Sequence, residues 1–317
     1  MSLDGLRVLD LSRLLPGAYC TQLLQAQGAT VTKVEPKAGD PIRALPGGAA
    51  YFDALHQGQL VVTLDLRSPS GRQDFLARVI DTDVLVEGFR PGRMERMELG
   101  YASLREINPA LVYCAITGYG STGAMARRAG HDLNYLARSG ALSLMPLRDG
   151  VPAIPGLQVA DLAGGLQAAF LIAAALASRE KTGRGQRVEV SMMHLMRSWT
   201  AMPRAARRAG IRGLPLTGEL PCYHVYAVAD GFLTVAALEY AFWGEFCQTI
   251  DREDLKGRQF DPSAIDAVQA TLRVATRAEW AARFGNKDVC VEPVLDLAES
   301  EEGGGGPSGP PPPDDFS

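Results

Sequence analysis

The chain has 317 residues, of which 46% are hydrophobic and 21% are charged. These proportions are typical of a globular protein with a substantial core, and they exclude a mostly disordered chain. The length corresponds to one large domain or two medium ones. Acidic residues outnumber basic ones by 36 to 32, which gives a net charge of −4 at pH 7. A nucleic-acid-binding protein normally carries a basic surplus, so the composition argues against a nucleic-acid partner.

The first half of the chain alternates short apolar runs with amphipathic stretches. The runs predict five strands, at Arg7–Leu11, Thr30–Val34, Val61–Leu64, Val84–Val86 and Leu111–Ile116. Helical spacing between them predicts three helices, at Ala18–Gln27, Ser70–Val79 and Leu104–Ile107. Strands that alternate with helices form a parallel sheet covered on both faces, and right-handed crossovers make that sheet doubly wound.

The second half begins with a long apolar helix and ends in a different pattern. We predict the helix over Leu162–Ser178, a strand at Arg187–Val190 and a further helix over Met192–Arg208. Two runs joined by Ala-Asp-Gly then predict a β-hairpin of Tyr223–Val228 and Phe232–Ala237. Three helices complete a small α+β module, at Tyr240–Ile250, Ser263–Ala275 and Arg277–Phe284.

These patterns divide the chain into four parts. Residues 1–209 are predicted to form a large Rossmann-like domain, and 210–221 a Gly/Pro-rich linker. Residues 222–298 follow as the small α+β domain. The remainder, 299–317, contains runs of glycine and proline and is predicted to be a flexible tail.

The sequence lacks the usual signals for membrane insertion or export. Its longest apolar run, Leu166–Ala177, is shorter than the roughly 18 to 20 residues of a membrane-spanning helix. The N-terminus carries Asp4 and Arg7 where a signal peptide has a basic stretch and an apolar region. The final residues, Asp-Phe-Ser, are not a peroxisomal signal. We therefore expect a cytoplasmic protein without a membrane partner.

Cysteine and histidine spacing predicts neither a disulfide framework nor a metal site. The five cysteines are scattered and none is spaced as CxxC, and the four histidines form no metal motif. Only five of the 32 basic residues are lysines. An anionic ligand would therefore be held mainly by arginines, whose guanidinium groups suit bidentate phosphate contacts.

Two polar residues occupy positions where chemistry is plausible. His131 follows the glycine-rich turn Gly118–Gly123 after a predicted strand, where parallel sheets bind ligands and a histidine can act as a general base. The alternative interpretation is that His131 is an ordinary surface histidine, which precedes a helix capped by Asp132. Asp161 begins the long apolar helix, where an aspartate is also an ordinary N-cap.

Two further clusters of charge, Lys33–Arg43 and Glu87–Arg96, come directly after predicted strands. Phosphate-bearing ligands dock at such loops, although charged turns exposed to solvent have the same composition. The sequence has no GxGxxG, Walker A, GxSxG or kinase signature. The residues alone thus indicate an α/β enzyme with an anionic ligand and a possible His/Asp pair, but no reaction.

In chain order, many segments resemble the family III CoA-transferase superfamily of the CaiB/BaiF type. The matching segments cover roughly residues 3 to 295 and include Leu6–Ser12, Gly28–Glu35, Asp83–Gly92, Thr117–Gly120 and Lys181–Val190. The segment Gly130–Ala137, with its Gly-His-Asp start, is most similar to the α-methylacyl-CoA racemase branch.

The resemblance implies roles for individual residues. In the racemases, the residues matching His131 and Asp161 are the catalytic acid/base pair, and a glutamate matching Glu239 orients the histidine. In the transferases, the residue matching Asp161 is instead the nucleophile. The residues implied to contact coenzyme A are Arg43, Leu55, Gly88, Phe89, Arg90, Arg96 and Asp132. Coenzyme A is then part of an acyl-CoA substrate, no separate cofactor or metal is expected, and an interlocked homodimer is implied.

Three functions follow from the resemblance. The first is a racemase or epimerase of 2-methyl-branched acyl-CoA thioesters in fatty acid metabolism, and the second is a CoA-transferase that uses Asp161 as a nucleophile. The third is a non-catalytic homologue that binds acyl-CoA. It is considered because the chain departs from the family pattern at Leu157, at Gln57–Leu60 and after Pro293–Asp296.

Overall fold

A computed structural model of the protein describes residues 2–211 and 216–303. They form two compact units, and the chain passes from the first to the second between Ala201 and Met202. The first unit contains a six-stranded sheet and the second a separate three-stranded sheet.

The large sheet of the first unit is parallel throughout. Its strands lie in the order β3-β2-β1-β4-β5-β8, in which the chain moves outward from β1 in one direction and then from β4 in the other. The strands are β1 (Arg7–Asp10), β2 (Thr30–Glu35), β3 (Leu60–Thr63), β4 (Val84–Glu87), β5 (Val112–Thr117) and β8 (Arg187–Ser191). A short antiparallel pair, β6 (Leu147–Arg148) and β7 (Val151–Pro152), lies outside this sheet. The predicted doubly wound parallel sheet is confirmed.

Helices cover the sheet on both sides because side chains alternate along each strand. Val84 of β4 belongs to a core cluster with helix residues such as Leu24 and Ile172, whereas Leu85 belongs to a cluster with Phe75 and Leu104. The helices of the first unit are α1 (Leu15–Ala26), α2 (Gly48–Leu55), α3 (Pro69–Val79), α4 (Arg93–Arg96), α5 (Tyr101–Ile107), α6 (Asp132–Ser139), α7 (Val159–Thr182) and α8 (Met192–Trp199). Helix α9 (Ala201–Arg208) follows, and from Met202 onward it belongs to the second unit.

Helix α7 is longer than its sequence pattern suggests. It has 24 residues and ends at Gly183, whose φ of 67° is left-handed and suits a glycine C-cap. By length and composition alone it could cross a membrane, a test that core helices of other proteins also meet. Its residues Ala168, Ile172 and Ala175 are buried in the core of the first unit. The absence of a membrane partner stays a prediction.

The second unit is built on an antiparallel sheet in the order β11-β10-β9. Its elements are β9 (Tyr223–Val228), β10 (Gly231–Ala236), α10 (Tyr240–Thr249), α11 (Ile265–Leu272), α12 (Arg277–Phe284), β11 (Val291–Pro293) and α13 (Leu297–Gly303). Buried aromatic rings fill its core, among them Tyr226, Trp243, Phe246 and Trp280. The predicted hairpin and α+β character are both present.

Two predicted segments differ from the structure. The helix predicted over Met192–Arg208 breaks at Thr200, because Pro203 offers no N–H to the carbonyl of Trp199 and its ring would clash there. The tail predicted from Glu299 is helical as far as Gly303. Glu299 and Asp296 cap each other's backbone N–H groups at 2.9 Å, and Arg277 binds Glu299 through two hydrogen bonds. The rest of the predicted tail, 304–317, lies outside the described residues.

Candidate active site

A cavity of about 350 Å³ opens in the first unit where the strands end. Residues that follow β1, β4 and β5 form one part of its wall, including Arg13, Phe89 and Gly118. In an open parallel sheet, ligands bind beyond the carboxyl ends of the strands, at the point where the strand order reverses. That point lies between β1 and β4 here. His131 and Asp161 line the same cavity, so the structure brings the two predicted catalytic residues together.

His131 occupies the position before helix α6. Its backbone N–H donates to the side-chain oxygen of Asn134 at 3.0 Å, and its carbonyl accepts from the backbone N–H of Asn134 at 2.8 Å. His131, rather than Asp132, is therefore the N-cap residue of α6. These bonds fix the backbone from which the exposed side chain of His131 reaches the cavity wall.

Asp132 caps a different helix. Its Oδ1 accepts from the backbone N–H groups of Ala160 at 2.6 Å and Asp161 at 3.2 Å, two of the free donors in the first turn of α7. Asp161 lies inside that first turn and is not the N-cap, which is Gln158. The alternative of Asp161 as a simple helix cap is therefore wrong, and its carboxyl group is available at the cavity.

Burial, together with the smaller effect of the negative charge of Asp132, raises the pKa of Asp161 to about 7. A carboxyl group with a pKa near neutrality exists in both protonation states at physiological pH. It can then donate or accept a proton, as a general acid or base requires. His131 adds an imidazole at the same cavity, and imidazoles commonly serve as general acids and bases.

The glycines beside His131 are required by close packing. A Cβ on Gly130 would lie 2.7 Å from the Tyr119 hydroxyl and 2.8 Å from the Tyr135 ring, and one on Gly118 would lie 2.5 Å from Tyr135. The Tyr135 hydroxyl donates to the carbonyl of Gly130. The tyrosine thereby fixes the segment that carries His131.

A second cavity, of about 430 Å³, shares Arg13, Pro41 and Phe89 with the first. Its charged lining is mostly basic and comprises Arg13, Lys37, Asp65, Arg67 and Arg93. Four cationic side chains against one carboxylate suit a phosphate-bearing ligand. A ligand long enough to pass Arg13 and Phe89 could occupy both cavities.

The residues implied to contact coenzyme A fall into two groups. Gly88, Phe89 and Arg90 line the first cavity. Four others are absent from the described lining of both cavities: Arg43, Leu55, Arg96 and Asp132. Their assignment stays a prediction.

Arg43 is already engaged by a protein carboxylate. It forms two hydrogen bonds with Glu35, at 3.1 and 3.2 Å, and its guanidinium lies 3.3 Å from the centre of the Phe52 ring. Arg13 and Arg93, which the sequence analysis did not single out, lie at the cavities instead. Their signal was weak, because each is one arginine among many in charged turns.

Glu239 lies in the second unit, where it is exposed and stands at the N-cap of α10. Its carbonyl accepts from the backbone N–H of Trp243 at 3.0 Å. Its proposed role in orienting His131 stays a prediction.

The structure is thus an α/β protein in which His131 and Asp161 line one cavity and mostly basic side chains line the cavity beside it. The chain belongs to CoA-transferase family III, whose family model matches residues 3–303. The predicted family is therefore confirmed, and the chain is an enzyme-family member whose relatives act on CoA thioesters in two ways.

Both kinds of activity occur among similar proteins. Over 94% of its length the chain is 35% identical to succinyl-CoA:mesaconate CoA-transferase of Haloarcula marismortui, of which it covers 78%. It is 33% identical to human α-methylacyl-CoA racemase, again over 94% of the chain and covering 79% of the racemase. A CaiB/BaiF family protein from Brucella suis has a similar structure, with a TM-score of 0.83 and 28% identity over 94% of this chain and 85% of that one.

Proposed function

We propose that the protein is a racemase or epimerase that inverts the α-carbon of 2-methyl-branched acyl-CoA thioesters. The observation that carries the proposal is the pair of proton-transfer groups, His131 and Asp161, at one cavity. A transferase needs the carboxylate alone, whereas inversion at carbon needs a base on one face and an acid on the other. The raised pKa of Asp161 favours inversion over CoA transfer, because a carboxyl group that is partly protonated at neutral pH can serve as both acid and base.

The reaction is a balanced 1,1-proton transfer. One group, as base, removes the α-proton, and the electrons of the C–H bond form the enolate of the thioester. The other group, as acid, delivers its own proton to the opposite face of the same carbon. After the reaction the first group is protonated and the second is deprotonated, the reverse of the starting state. Proton exchange with water then restores the starting state. Neither a cofactor nor a metal enters this scheme, since coenzyme A is part of the substrate.

The CoA portion of the substrate would pass Arg13 and Phe89 into the basic second cavity. Glu239 would complete the site by orienting His131 from a partner subunit in a homodimer, as the resemblance implies. We also propose a cytoplasmic location, because the described cysteines are free thiols, which a reducing compartment maintains.

The test is deuterium exchange into each enantiomer of 2-methylacyl-CoA. In a two-base mechanism each group deprotonates one enantiomer. His131→Ala and Asp161→Asn should therefore lose exchange from opposite enantiomers, each by about a hundred- to ten-thousand-fold. Asp149→Asn is a matched control, because this exposed aspartate lies in the turn between β6 and β7. Unchanged exchange from both enantiomers in His131→Ala would reject the assignment.

A CoA-transferase is the second candidate, and the 35% identity to succinyl-CoA:mesaconate CoA-transferase favours it. Here the Asp161 carboxylate would attack the thioester carbonyl and expel the CoA thiolate, leaving an acyl anhydride on the aspartate. Hydroxylamine added during turnover would trap that anhydride. Trapping at Asp161 without α-proton exchange would establish the transferase in place of the racemase.

A further inference from the structure

Tyr119 lies in the wall of the first cavity, in the glycine-rich turn that follows β5. Its ring is buried in the core and packs edge to face against Tyr135, with the ring centres 5.2 Å apart. Its hydroxyl lies beside Gly130, where an added Cβ would be 2.7 Å from the oxygen. Because Gly130 directly precedes His131, the hydroxyl is held at the segment that carries a proposed catalytic group.

The hydroxyl of Tyr119 has no partner in the protein. In the part of the chain that the structure describes, it makes no hydrogen bond. Protein atoms do not seal off the oxygen either, although the residue as a whole is only 5% exposed. A tyrosine with a buried ring usually has a hydrogen-bond partner for its O–H group. An unpaired hydroxyl at a cavity is therefore available to a ligand.

The other hydroxyl groups that line this cavity are engaged or enclosed. Thr117 donates to a backbone carbonyl of β8 at 2.8 Å, and Tyr135 donates to the carbonyl of Gly130. The Oγ of Ser12 has no partner, but it is buried by the surrounding protein. Among the described residues of the cavity wall, the hydroxyl that is both unpaired and accessible is thus that of Tyr119.

The proposed inversion needs a hydrogen-bond donor at the thioester oxygen. When the α-proton leaves, negative charge moves onto that oxygen, and a donor already in place stabilises the enolate more than it stabilises the substrate. His131 and Asp161 act on the α-carbon, so the donor must be another group. Arg90 and Arg128 also line the cavity but are exposed, whereas the buried ring of Tyr119 fixes the position of its hydroxyl.

We infer that Tyr119 is a further catalytic residue, whose hydroxyl donates a hydrogen bond to the thioester oxygen and stabilises the enolate. The inference rests on the proposed function for the identity of the reaction. The phenol keeps its proton throughout, so the balance of the 1,1-proton transfer is unchanged. Since the thioester oxygen carries the charge whichever enantiomer reacts, Tyr119 should serve both directions equally, unlike His131 and Asp161.

The kinetic test is Tyr119→Phe, which removes the hydroxyl and keeps the ring that packs on Tyr135. The rate of α-proton exchange in deuterated water should fall about a hundredfold, by the same factor for both enantiomers of 2-methylacyl-CoA. KM should stay within about threefold, because the charge develops only during the reaction. Tyr101→Phe is the matched control. This half-buried tyrosine of α5 donates to the carbonyl of Gly185 at 3.3 Å and lies outside the lining of both cavities, so its loss of a hydroxyl should leave exchange unchanged.

A second measurement detects the hydrogen bond without turnover. It is infrared spectroscopy of bound 2-methylacyl-CoA that is labelled with ¹³C at the thioester carbonyl. A donated hydrogen bond weakens the C=O bond and lowers the wavenumber of its stretch. The labelled stretch should therefore lie at higher wavenumber in Tyr119→Phe than in the unaltered protein, and it should not move in Tyr101→Phe.

The two measurements separate this inference from the proposed function. An identical stretch in Tyr119→Phe and the unaltered protein would overturn the inference. So would a loss of exchange from one enantiomer alone, because Tyr119 would then support only one of the two proton-transfer groups. A shifted stretch in Tyr119→Phe, combined with no exchange by the unaltered protein, would reject the racemase and leave the hydrogen bond to the thioester oxygen established.

Discussion

Replacement of Asp161 by asparagine should stabilise the protein at neutral and alkaline pH while it removes the activity. The ordinary pKa of an aspartate is 3.8, and burial raises that of Asp161 to about 7. Between these values the folded state holds more protons than the unfolded state, so the aspartate makes the protein less stable as the pH rises from about 4 to about 7. Asparagine has a similar shape and carries no charge, so it avoids this cost.

The size of the effect follows from the two pKa values. Their difference is about three, and each pKa unit corresponds to about 1.4 kcal/mol, which sets an upper limit of about 4 kcal/mol. Because Asp161 retains some contact with solvent at the cavity, we expect a gain of about 2 to 4 kcal/mol at pH 8 and little difference near pH 4.

Urea unfolding of Asp161→Asn and the unaltered protein at several pH values measures this difference. Asp149→Asn, at an exposed turn, should show no such trend. A stability difference that is constant with pH, or that favours the unaltered protein at pH 8, would refute a raised pKa at Asp161. The active site would then lack the neutral-range carboxyl group on which the acid/base argument depends.

Substitutions at three further positions test the support of the site. Asp132→Ala leaves two backbone N–H groups of α7 without their cap and should lower the free energy of unfolding by about 1 to 2 kcal/mol. Asp132→Asn keeps an oxygen acceptor for these groups but removes the negative charge beside Asp161. It should therefore lower the pKa of Asp161 and move the corresponding limb of the pH–rate profile to lower pH. Gly130→Ala should lower activity and cost about 1 to 3 kcal/mol in thermal unfolding, unlike Gly156→Ala, which has open space. Lys33→Met leaves two buried carboxylates unpaired and should cost about 3 to 5 kcal/mol in urea unfolding. A loss in Gly156→Ala equal to that in Gly130→Ala, or a neutral Lys33→Met, would contradict these contacts.

Most of the fold could be predicted because its signals are local. Helix α12 has the predicted bounds, Arg277–Phe284, and its start is marked by the capping box of Thr276 and Glu279. Strand β11 was missed because three residues carry no pattern of their own, and they are extended only through pairing with β10. The prediction of one helix over Met192–Arg208 did not take account of Pro203, which prevents continuous helical hydrogen bonding past Thr200.

The sequence predicts two residues of the candidate site but not the contacts that support them. His131 and Asp161 are candidates because they follow a strand and begin a helix, and the resemblance to the family implies their roles. Asp132 is predicted to cap α6 or to contact coenzyme A, whereas its bond to the first turn of α7 could not be predicted because it joins residues 28 apart in the chain. The basic lining of the second cavity could not be predicted for the same reason, because Arg13 and Arg93 approach each other only when β1 and β4 lie side by side.

The most direct measurement of the central claim follows one enantiomer of 2-methylacyl-CoA with the unaltered protein in deuterated water. If one of His131 and Asp161 removes the α-proton and the other delivers a solvent-derived deuteron, the product is the opposite enantiomer. It carries one deuterium at the α-carbon, and its CoA thioester is intact. Recovery of the starting enantiomer without label, or transfer of the CoA to an added carboxylic acid without inversion, would contradict the account.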